Sequence, residues 1–389
     1  MTTKEMDAAY IAHTYGRNDI VADHGKGAIL TDEEGREYVD FTSGIGVNCL
    51  GYCDDGWVQA VCRQAATLSH VSNLYYSRPM AELAKLLCEK TGCQKVFFGN
   101  SGAEANEGAI KAARKYSFDH YGKGRSTIVS LKNSFHGRTT TTLSATGQEV
   151  FHQFFDPFTE GFVFVEAGDL AAASAAMDET VCGVMVEFIQ GEGGVVPLEK
   201  EYVQALAGLC RERDILLIAD EVQTGVGRTG TFLAQEQFGV RADLTTLAKG
   251  LGGGLPIGAV LFGEKTAETL GLSQHGSTFG GNPIACAGGI EVMHRLDEAF
   301  LAEVREKGEY LKEKLAALPH VEGVTGLGLM LGVTLGDGLT AREVVAACHK
   351  RGAMFLTAKE KIRLLPPLVI TREEIDRGAA VLEQVLKEA

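Results

Sequence analysis

The sequence lacks the features that mark secreted, membrane and nucleic-acid-binding proteins. Its first ten residues, MTTKEMDAAY, contain neither the basic region nor the apolar core of a signal peptide. No uncharged apolar stretch is long enough to span a bilayer. Acidic residues outnumber basic ones by 51 to 37, and the formal net charge of −14 argues against nucleic acid or an anionic membrane as the main partner. These absences predict a cytoplasmic protein.

The sequence also lacks C-x-x-C pairs, internal repeats and low-complexity linkers. Its nine cysteines are an odd number, so we expect reduced thiols, most of them buried as small apolar groups. No group of residues is assigned to a metal. The length of 389 residues predicts two or three domains with a large core.

Short apolar runs alternate with helical stretches through the middle of the chain. The runs are KVFFG, TIVSL, GFVFVEA, CGVMVEF, ILLIAD, LTTLAK and GAVLFG. Several are apolar on both faces, which is typical of parallel strands that helices cover on each side. This alternation predicts a large α/β domain over residues 55–275. Residues 276–389 are predicted to form a smaller α+β domain, and residues 1–54 an N-terminal segment that packs with it.

A short loop after the first apolar run is a candidate anion site. In FFGNSGAEANEGAIK the run ends at Gly99, and Ser101 can cap a following helix, with Glu104 closing a capping box. The free N–H groups of the first helical turn and the helix dipole can bind a phosphate. A well-capped helix without a ligand is the alternative, but capping alone does not require the small residues Gly102 and Ala103.

Two other stretches place polar or aromatic groups at predicted strand ends. ILLIADEVQTGVGRTG brings Asp220 and Glu221 to the carboxyl end of a strand, where open α/β sheets bind ligands. A strand-end acid that caps a turn is the alternative. LKNSFHGRT offers Phe135 to stack on a planar ring and Arg138 to clamp a carboxylate, against a surface arginine beside a buried ring. We expect His136 to be packed and hydrogen-bonded rather than a base.

A lone lysine, Lys249, ends the run LTTLAK and precedes four glycines within five residues. Lysine is rarely buried without a partner, but an amine in a partly dry site has a lowered pKa and can form a Schiff base. Asp220 lies 29 residues earlier, the length of one strand–helix–strand unit. With Phe135 and the helix start at 101–103, these residues supply the amine, acid, aromatic face and anion site that pyridoxal phosphate (PLP) needs.

Two further stretches are less specific. The loop HGSTFGGNP offers the hydroxyls of Ser277 and Thr278 to a phosphate or carboxylate, and a plain loop is the alternative. Residues 225–230 match G-x-G-x-x-G, the glycine pattern of dinucleotide-binding proteins. Four residues separate these glycines from Asp220, and the next acid, Asp243, precedes an apolar run instead of following it. A nicotinamide-dependent dehydrogenase therefore rests on this weak match alone.

Together these motifs resemble those of class III, ornithine-type aminotransferases, which are PLP enzymes of fold type I. The matching stretches are HTYGR, NSGAEANEGAIK, FHGRT, QGEGGV, ADEVQTGVGRTG, TLAKGLGGGLPIGA, HGSTFGGNP and IRLLPPLVI, which cover essentially the whole chain in order. The resemblance implies a mostly parallel sheet covered by helices on both faces, a smaller α+β domain, and a homodimer with shared active sites. It is greatest to members that move the δ-amino group of N2-acetylornithine to 2-oxoglutarate in arginine biosynthesis. Ornithine, succinylornithine and 4-aminobutyrate remain alternative donors.

The resemblance also implies how the chain would hold PLP. Lys249 would carry the cofactor covalently and move the proton during transfer, and Asp220 would keep the ring nitrogen protonated. The other implied contacts are Gly102 and Ala103 with the adjoining Ser101 at the phosphate, Phe135 and Val222 on the two ring faces, Gln223 at the phenolic oxygen, the neighbouring Glu221, and Thr278 reaching the phosphate from the other subunit.

For the substrates, the resemblance implies two carboxylate sites. Arg138 would hold the α-carboxylate of the amino donor. Glu192 would neutralise Arg363 while the ω-amino donor is bound, and then release it for a carboxylate of glutamate or 2-oxoglutarate. Ser277 and Tyr15 are expected to contact substrate.

The chain departs from the family pattern at a few positions. Phe188 stands where proline is usual, and Tyr52, Asp54 and Asp55 stand where a histidine and a His-Pro pair are expected. A regulator that binds PLP without turnover is a further alternative, but it would need none of the carboxylate-binding residues.

Overall fold

The computed structural model describes residues 1–336 and 338–388. Its strands are β1 (Ala22–Lys26), β2 (Ile29–Asp32), β3 (Glu37–Asp40), β4 (Lys95–Gly99), β5 (Thr127–Leu131), β6 (Phe162–Val165), β7 (Val181–Val186), β8 (Ile189–Gln190), β9 (Val196–Pro197), β10 (Leu216–Asp220), β11 (Leu244–Leu247), β12 (Gly258–Phe262), β13 (Val321–Leu327), β14 (Met330–Leu335), β15 (Ala353–Met354), β16 (Leu356–Ala358) and β17 (Lys361–Leu364). Its helices are α1 (Thr3–Tyr10), α2 (Ser43–Gly46), α3 (Asp55–Thr67), α4 (Arg78–Thr91), α5 (Gly102–Tyr121), α6 (Thr140–Ala145), α7 (Leu170–Ala176), α8 (Lys200–Glu212), α9 (Gln235–Phe238), α10 (Pro283–Arg295), α11 (Glu298–Ala316), α12 (Ala341–His349) and α13 (Arg372–Glu388).

A seven-stranded sheet in the order β4-β12-β11-β10-β7-β5-β6 forms the centre of the molecule. Strand β12 pairs antiparallel with β11 and β4, whereas the remaining pairs are parallel. The prediction of a mostly parallel sheet is therefore confirmed. One detail is corrected, because the run GAVLFG is the antiparallel strand β12. The other six strands all end at the same edge of the sheet.

Helices cover both faces of this sheet, as the apolar runs predicted. In β10, Leu216 and Ile218 pack in the cluster that contains the alanines of α5, while Leu217 and Ala219 pack with α7 and α8 on the opposite face. Successive side chains of a strand point to opposite faces, so a strand buried on both sides must be apolar throughout. The same alternation decides where the polar residues at the strand ends point.

Smaller sheets join the two ends of the chain. Strands β1, β2 and β3 form a sheet with β15, in which Val39 pairs with Ala353. Strands β13, β14, β17 and β16 form a second four-stranded sheet. One apolar cluster contains residues from both sides of position 275, including Leu83, Leu247 and Leu382. The division of the chain into three parts thus stays a prediction.

The turn after β11 lies against α3 and α10. Trp57 of α3 is the only tryptophan of the chain, and its indole N–H donates to the carbonyl oxygen of Gly252 at 3.0 Å.

All nine cysteines are free thiols, and five of them are buried. Among the described residues, no helix combines the length and apolar character needed to cross a membrane.

Candidate active site

A cavity of about 460 Å³ opens at the edge where the parallel strands end. Segments that directly follow β4, β5, β7, β10 and β11 contribute its walls. The carboxyl edge of such a sheet is where α/β proteins bind ligands. Among the residues singled out in the sequence, the cavity brings together Ser101, Gly102, Ala103, Phe135, Arg138, Asp220, Val222, Gln223 and Lys249.

Lys249 presents its amine to this cavity from a short 3₁₀ turn after β11. Its backbone has φ of +45°, a left-handed conformation that a non-glycine residue rarely adopts and that is common at functional sites. Burial lowers the pKa of the amine to about 8; the charge of Glu192 opposes this shift and that of Arg363 adds to it. Within the described chain the amine has no hydrogen bond or ion pair. The neutral amine is therefore far easier to form here than on a solvent-exposed lysine.

Asp220, the last residue of β10, places a buried carboxylate beside this amine. Its side chain accepts hydrogen bonds from Asn106 Nδ2 at 2.8 Å, from His136 Nδ1 at 2.7 Å and from the Val222 N–H at 3.0 Å. Burial opposes a charged His136, but the hydrogen bond and charge of Asp220 raise the pKa of that histidine overall. As expected, His136 is packed and hydrogen-bonded, yet its partner is the acid of the site.

The start of α5 forms one wall of the cavity. Ser101 Oγ accepts the Glu104 N–H at 3.1 Å, which is the predicted cap. The predicted capping box does not close, because the Glu104 carboxylate accepts the main-chain and side-chain N–H groups of Asn100 instead. A Cβ on Gly102 would lie 2.7 Å from Val222, so only glycine lets the helix start this close to the loop after β10. First-turn N–H groups there are free for an anion.

Arg138 is an exposed residue of the cavity lining and lies beside two aromatic rings. Its guanidinium carbon is 3.9 Å from the ring centroid of Phe151 and 5.4 Å from that of Phe135. The two rings contact each other edge to face, with centroids 6.0 Å apart. No carboxylate of the described chain forms an ion pair with Arg138. The rings thus hold a cation in place while leaving it free to bind an anion.

A second arginine, Arg363 of β17, is masked by a carboxylate. Its Nη1 lies 2.5 Å from Glu192 Oε1 and 3.4 Å from Gln223 Oε1. Arg363 is only 3% exposed, and its Nε has no partner within the described chain. The expected pairing of Glu192 with Arg363 is therefore present beside the Lys249 amine, which feels the charge of both residues.

Glu221, expected beside the cofactor, does not line the cavity of its own chain. Strand alternation turns its side chain away from Asp220, and it is fully buried on the opposite side of β10. There it accepts hydrogen bonds from Thr224 Oγ1 at 2.7 Å and from the N–H groups of Ala234 and Gln235 at 2.8 Å. Its side chain thus fixes the turn after β10, as the alternative proposed, and its expected contact with the cofactor stays a prediction.

Besides Glu221, five expected contact residues do not line the cavity of their own chain. Arg363 and Glu192 adjoin it through the lining residue Gln223, and the other three are Thr278, Tyr15 and Ser277. Thr278 is exposed, and Tyr15 is 75% exposed. Ser277 lies one hydrogen bond away, because Asn100, which lines the cavity, donates its Nδ2 to Ser277 Oγ at 3.2 Å. The contacts expected of Thr278, Tyr15 and Ser277 stay predictions.

Comparison with known proteins decides which family this cavity belongs to. The sequence model of the class-III aminotransferase family matches residues 10–386. The chain belongs to the class III aminotransferases. Acetylornithine aminotransferase from Haemophilus ducreyi is 55% identical over 386 residues, covering 99% of this chain and 98% of that one. The enzyme of the same name from Caldanaerobacter subterraneus is 46% identical over 385 residues, with 97% and 98% covered.

Solved structures agree with this membership. Ornithine aminotransferase from Toxoplasma gondii superposes with a TM-score of 0.95 at 32% identity, covering 100% of this chain and 96% of that one. N-acetylornithine aminotransferase from Stenotrophomonas maltophilia superposes with a TM-score of 0.86 at 34% identity, with 99% and 98% covered. These likenesses confirm fold type I.

The cavity of this class III aminotransferase fits PLP, the cofactor of its family. An unpaired amine is present in Lys249, and the buried negative charge of Asp220 suits a protonated ring nitrogen. The tight approach of Gly102 to Val222 leaves free N–H groups at the start of α5, which suit a phosphate. Two buried nitrogen atoms, His136 Nε2 and Arg363 Nε, have no hydrogen-bond partner in the described chain. Buried polar atoms are normally hydrogen-bonded, so a bound ligand is a suitable partner for them.

The aminotransferase site also contains residues that the sequence reasoning missed. Glu187 directly follows β7 and lines the cavity, so the argument that found Asp220 at the end of β10 would have found it too. Asn106 lies on the buried face of α5 and joins Asp220 to Thr246, whose hydroxyl donates to Asn106 Oδ1 at 2.7 Å. A polar residue among the alanines of this helix was the available signal.

The glycine match at 225–230 has a structural explanation. These residues form consecutive turns and do not start a helix against a phosphate. Arg228 is fully buried there, where its Nη1 donates to the carbonyl oxygens of Leu329 at 3.0 Å and Pro366 at 2.5 Å. The segment therefore joins β10 to the C-terminal part of the chain, and family membership removes the dehydrogenase alternative.

The departures from the family pattern have structural roles away from the cavity. Phe188 is buried and stacks on Phe238 with ring centroids 5.2 Å apart. Asp54 caps α3 and lies 3.2 Å from Arg295, and Asp55 lies 2.5 Å from a lysine of β1. None of the departing residues, at positions 52, 54, 55 and 188, lines the cavity.

Proposed function

We propose that this aminotransferase moves the δ-amino group of N2-acetyl-L-ornithine to 2-oxoglutarate, giving N-acetylglutamate 5-semialdehyde and glutamate. One observation carries the proposal: the site has two arginines, of which Arg138 is free and Arg363 is masked by Glu192. A donor with one carboxylate and an acceptor with two need this difference. The names of several relatives at 42–55% identity support the same donor.

When bound, PLP supplies an aldehyde that accepts the amino group and a ring that withdraws electrons from the reacting carbon. In our proposal Lys249 holds the cofactor and then moves the proton at its Nζ, whose lowered pKa suits that exchange. Asp220 keeps the ring nitrogen protonated. The remaining cofactor contacts that we propose are Ser101, Gly102 and Ala103 at the phosphate, Phe135 and Val222 on the ring faces, and Gln223 at the phenolic oxygen.

The two arginines would bind the two substrates in turn. Arg138 binds the α-carboxylate of the donor, which leaves the distal amine at the part of the cavity where Lys249 would hold the cofactor. Glu192 keeps Arg363 neutralised while the donor, whose distal end carries no carboxylate, is present. When 2-oxoglutarate enters, Glu192 releases Arg363 to bind its second carboxylate bidentately.

The Glu192→Ala substitution tests this exchange of partners. We expect the half-reaction with the amino donor to slow more than the half-reaction with 2-oxoglutarate, because Arg363 stays unmasked. Single-turnover rates of the two halves measure the difference. Equal losses in both would contradict the exchange.

We infer that the site is completed by a second copy of the chain. Thr278 is exposed and lies outside its own cavity, beside the exposed Phe279. Asn73 donates to the carbonyl oxygens of Ser277 and Gly280, which ties this loop to the exposed apolar residues Leu74 and Tyr76. Exposed apolar surface of this kind marks protein interfaces. In a homodimer the partner subunit's Thr278 would reach the PLP phosphate, with Ser277 and Tyr15 near substrate.

Ornithine is the second candidate donor, because the chain also superposes well on solved ornithine aminotransferases. The experiment is a screen of single half-reactions. N-acetylornithine, succinylornithine, ornithine and 4-aminobutyrate are added one at a time to the PLP-bound enzyme, and the visible absorption band of the cofactor is followed. We expect the highest kcat/KM with N-acetylornithine. A higher value with ornithine or 4-aminobutyrate would replace the proposed donor, and no reaction with any amine would reject the proposed function.

A further inference from the structure

Glu187 is a buried carboxylate in the cavity wall that the reaction described above does not use. It follows β7 and is 5% exposed. Its Oε2 accepts the main-chain N–H of Phe135 at 2.9 Å, and its Oε1 accepts that of Gly191 at 3.4 Å. These two amides belong to different loops. The first loop, residues 132–138, carries Phe135 and Arg138, and the second, residues 190–194, carries Glu192.

The same two loops touch at further points. Gln190 Nε2 donates to the carbonyl oxygen of Lys132 at 2.8 Å. A Cβ on Gly193 would lie 2.9 Å from the carbonyl oxygen of Asn133. These contacts make the loops one packed unit at the mouth of the cavity.

Gly191 transmits the position of this unit to the masked arginine. A Cβ at Gly191 would lie 2.2 Å from Gln223 Oε1, so the loop presses directly on the side chain that also accepts from Arg363. The next residue, Glu192, is the ion-pair partner of Arg363. A shift of the Gly191 amide therefore moves the carboxylate that masks Arg363.

Keeping a carboxylate at position 187 carries a cost. The pKa of Glu187 is raised to about 7, chiefly by burial and also by the charge of Asp220, although His136 and the two amides lower it. Among the described residues no lysine or arginine pairs with it. A buried carboxylate without a cation is unfavourable compared with a neutral side chain, unless its acceptor oxygens are needed.

We propose that Glu187 is a positioning residue. It holds the loop of residues 132–138, which carries Arg138, against the loop of residues 190–194, which carries Glu192. In this way it sets the balance between donor binding and acceptor binding. It acts through the main chain, by fixing the Gly191 amide so that Glu192 stays on Arg363. This inference rests on the proposed function, because it assigns the two arginines to two substrates.

The Glu187→Gln variant tests the inference in the PLP-bound enzyme. The amide keeps one acceptor oxygen for Phe135 but turns a donor toward Gly191, so the second loop loses its anchor. We expect KM for N-acetylornithine to rise about fivefold or more, the effect typical of residues that couple binding groups without touching the ligand. We expect KM for 2-oxoglutarate to change less than about twofold, because the freed Arg363 still binds it.

A crystal structure of the same variant supplies a readout independent of turnover. We expect Glu192 to have moved off Arg363. Asp243→Asn is the matched control, because Asp243 Oδ2 also accepts a main-chain N–H, that of Leu217 at 2.9 Å, near the other end of β10. It should leave both KM values unchanged.

The outcomes separate the two proposals. If the wild-type enzyme does not use N-acetylornithine, the proposed function fails. If it does, but Glu187→Gln leaves the ratio of the two KM values unchanged or leaves Glu192 on Arg363, the inference about Glu187 is wrong. Should this variant not fold, Gln190→Ala removes the neighbouring link between the loops. It should raise the same KM ratio, and an unchanged ratio would also overturn the inference.

Discussion

Lys249 has its amine in a cavity that favours the neutral form. Burial accounts for most of the shift of its pKa from 10.5 to about 8. Asp220 is a buried carboxylate that accepts hydrogen bonds from Asn106, His136 and Val222. Reactivity at this site therefore follows from the surroundings of single groups, and substitution of single groups tests it.

The Lys249→Met substitution should stabilise the cofactor-free protein at neutral pH. Because the folded-state pKa is depressed, the unfolded chain binds the extra proton between about pH 8 and 10.5, and stability rises with pH across that window. Removing the cation should raise the free energy of unfolding at pH 7 by about 1–3 kcal/mol, less at pH 10. Urea unfolding at both pH values measures this, and a destabilised variant at pH 7 would contradict it.

The Phe151→Ala substitution should weaken donor binding. The ring of Phe151 lies 3.9 Å under the guanidinium of Arg138, and an exposed contact of this kind is worth about 0.5–1 kcal/mol. KM for the amino donor should rise roughly two- to fivefold, with kcat little changed. Phe154→Ala is the control, since Phe154 is 81% exposed and contacts only Phe155 among the described aromatic residues. A similar rise in the control would show that the effect is not specific.

At the scale of elements, helix α5 has two roles, one in packing and one at the cavity. Its alanine face packs on the central sheet, while its first turn borders the cavity. Ser101 caps the helix and Gly102 brings its start close to the loop after β10. A change at this end should therefore affect stability and cofactor binding together.

Ser101→Ala should lower the stability of the protein by about 1 kcal/mol, the usual value of a lost N-cap. It should also weaken PLP binding, because the Ser101 hydroxyl fixes the Glu104 amide at the same helix start. Asp169→Ala removes the matching cap of α7, where Asp169 Oδ1 accepts the Ala172 N–H at 2.8 Å. Thermal unfolding should show similar losses for both variants. Equilibrium dialysis of PLP should distinguish them. Equal PLP affinities of the two variants would show that the start of α5 has no role in cofactor binding.

At the scale of the whole molecule, distant segments meet around one site. Arg228 joins the segment after β10 to Leu329 and Pro366, and its Nη2 lies 3.4 Å from Ser43 Oγ near the N-terminus. Strand β15 of the C-terminal part extends the N-terminal sheet. The segment after β10, which contributes to the cavity wall, is thus held by residues from both the N-terminal and the C-terminal parts of the chain. A second copy of the chain is proposed to complete the site.

Mixed dimers test the shared site. A Lys249→Ala chain and a Thr278→Ala chain together form hybrids in which one site has both an intact Lys249 and an intact Thr278 from the partner. At a PLP concentration too low for the Thr278→Ala homodimer, random mixing should restore about a quarter of the wild-type activity, because half the dimers are hybrids with one good site. If both residues belonged to one chain, mixing would restore no such site.

The sequence predicted the cavity best where a strand end carries a chemical group. Asp220 and Lys249 follow buried apolar runs, and parallel strands bring their ends to one edge. Two adjacent acids at a strand end point to opposite faces, and the sequence does not show which of Asp220 and Glu221 faces the cavity. The direction of β12 was missed because an apolar run has no polarity of its own. The position of Glu187 at the end of β7 follows from the same strand-end argument, but its hydrogen bonds to Phe135 and Gly191 join segments that the sequence does not show to be neighbours.

The hydrogen bond between Trp57 and Gly252 makes Trp57 an intrinsic fluorescent probe of the turn after β11. The indole contacts the turn that begins with Lys249, and the sequence contains no other tryptophan to dilute its emission. Energy transfer from Trp57 to bound PLP should therefore quench the intrinsic fluorescence of the unlabelled chain. Each chain then reports the binding of cofactor at its own Lys249. Cofactor-binding curves for variants of the chain then become accessible without any assay of turnover.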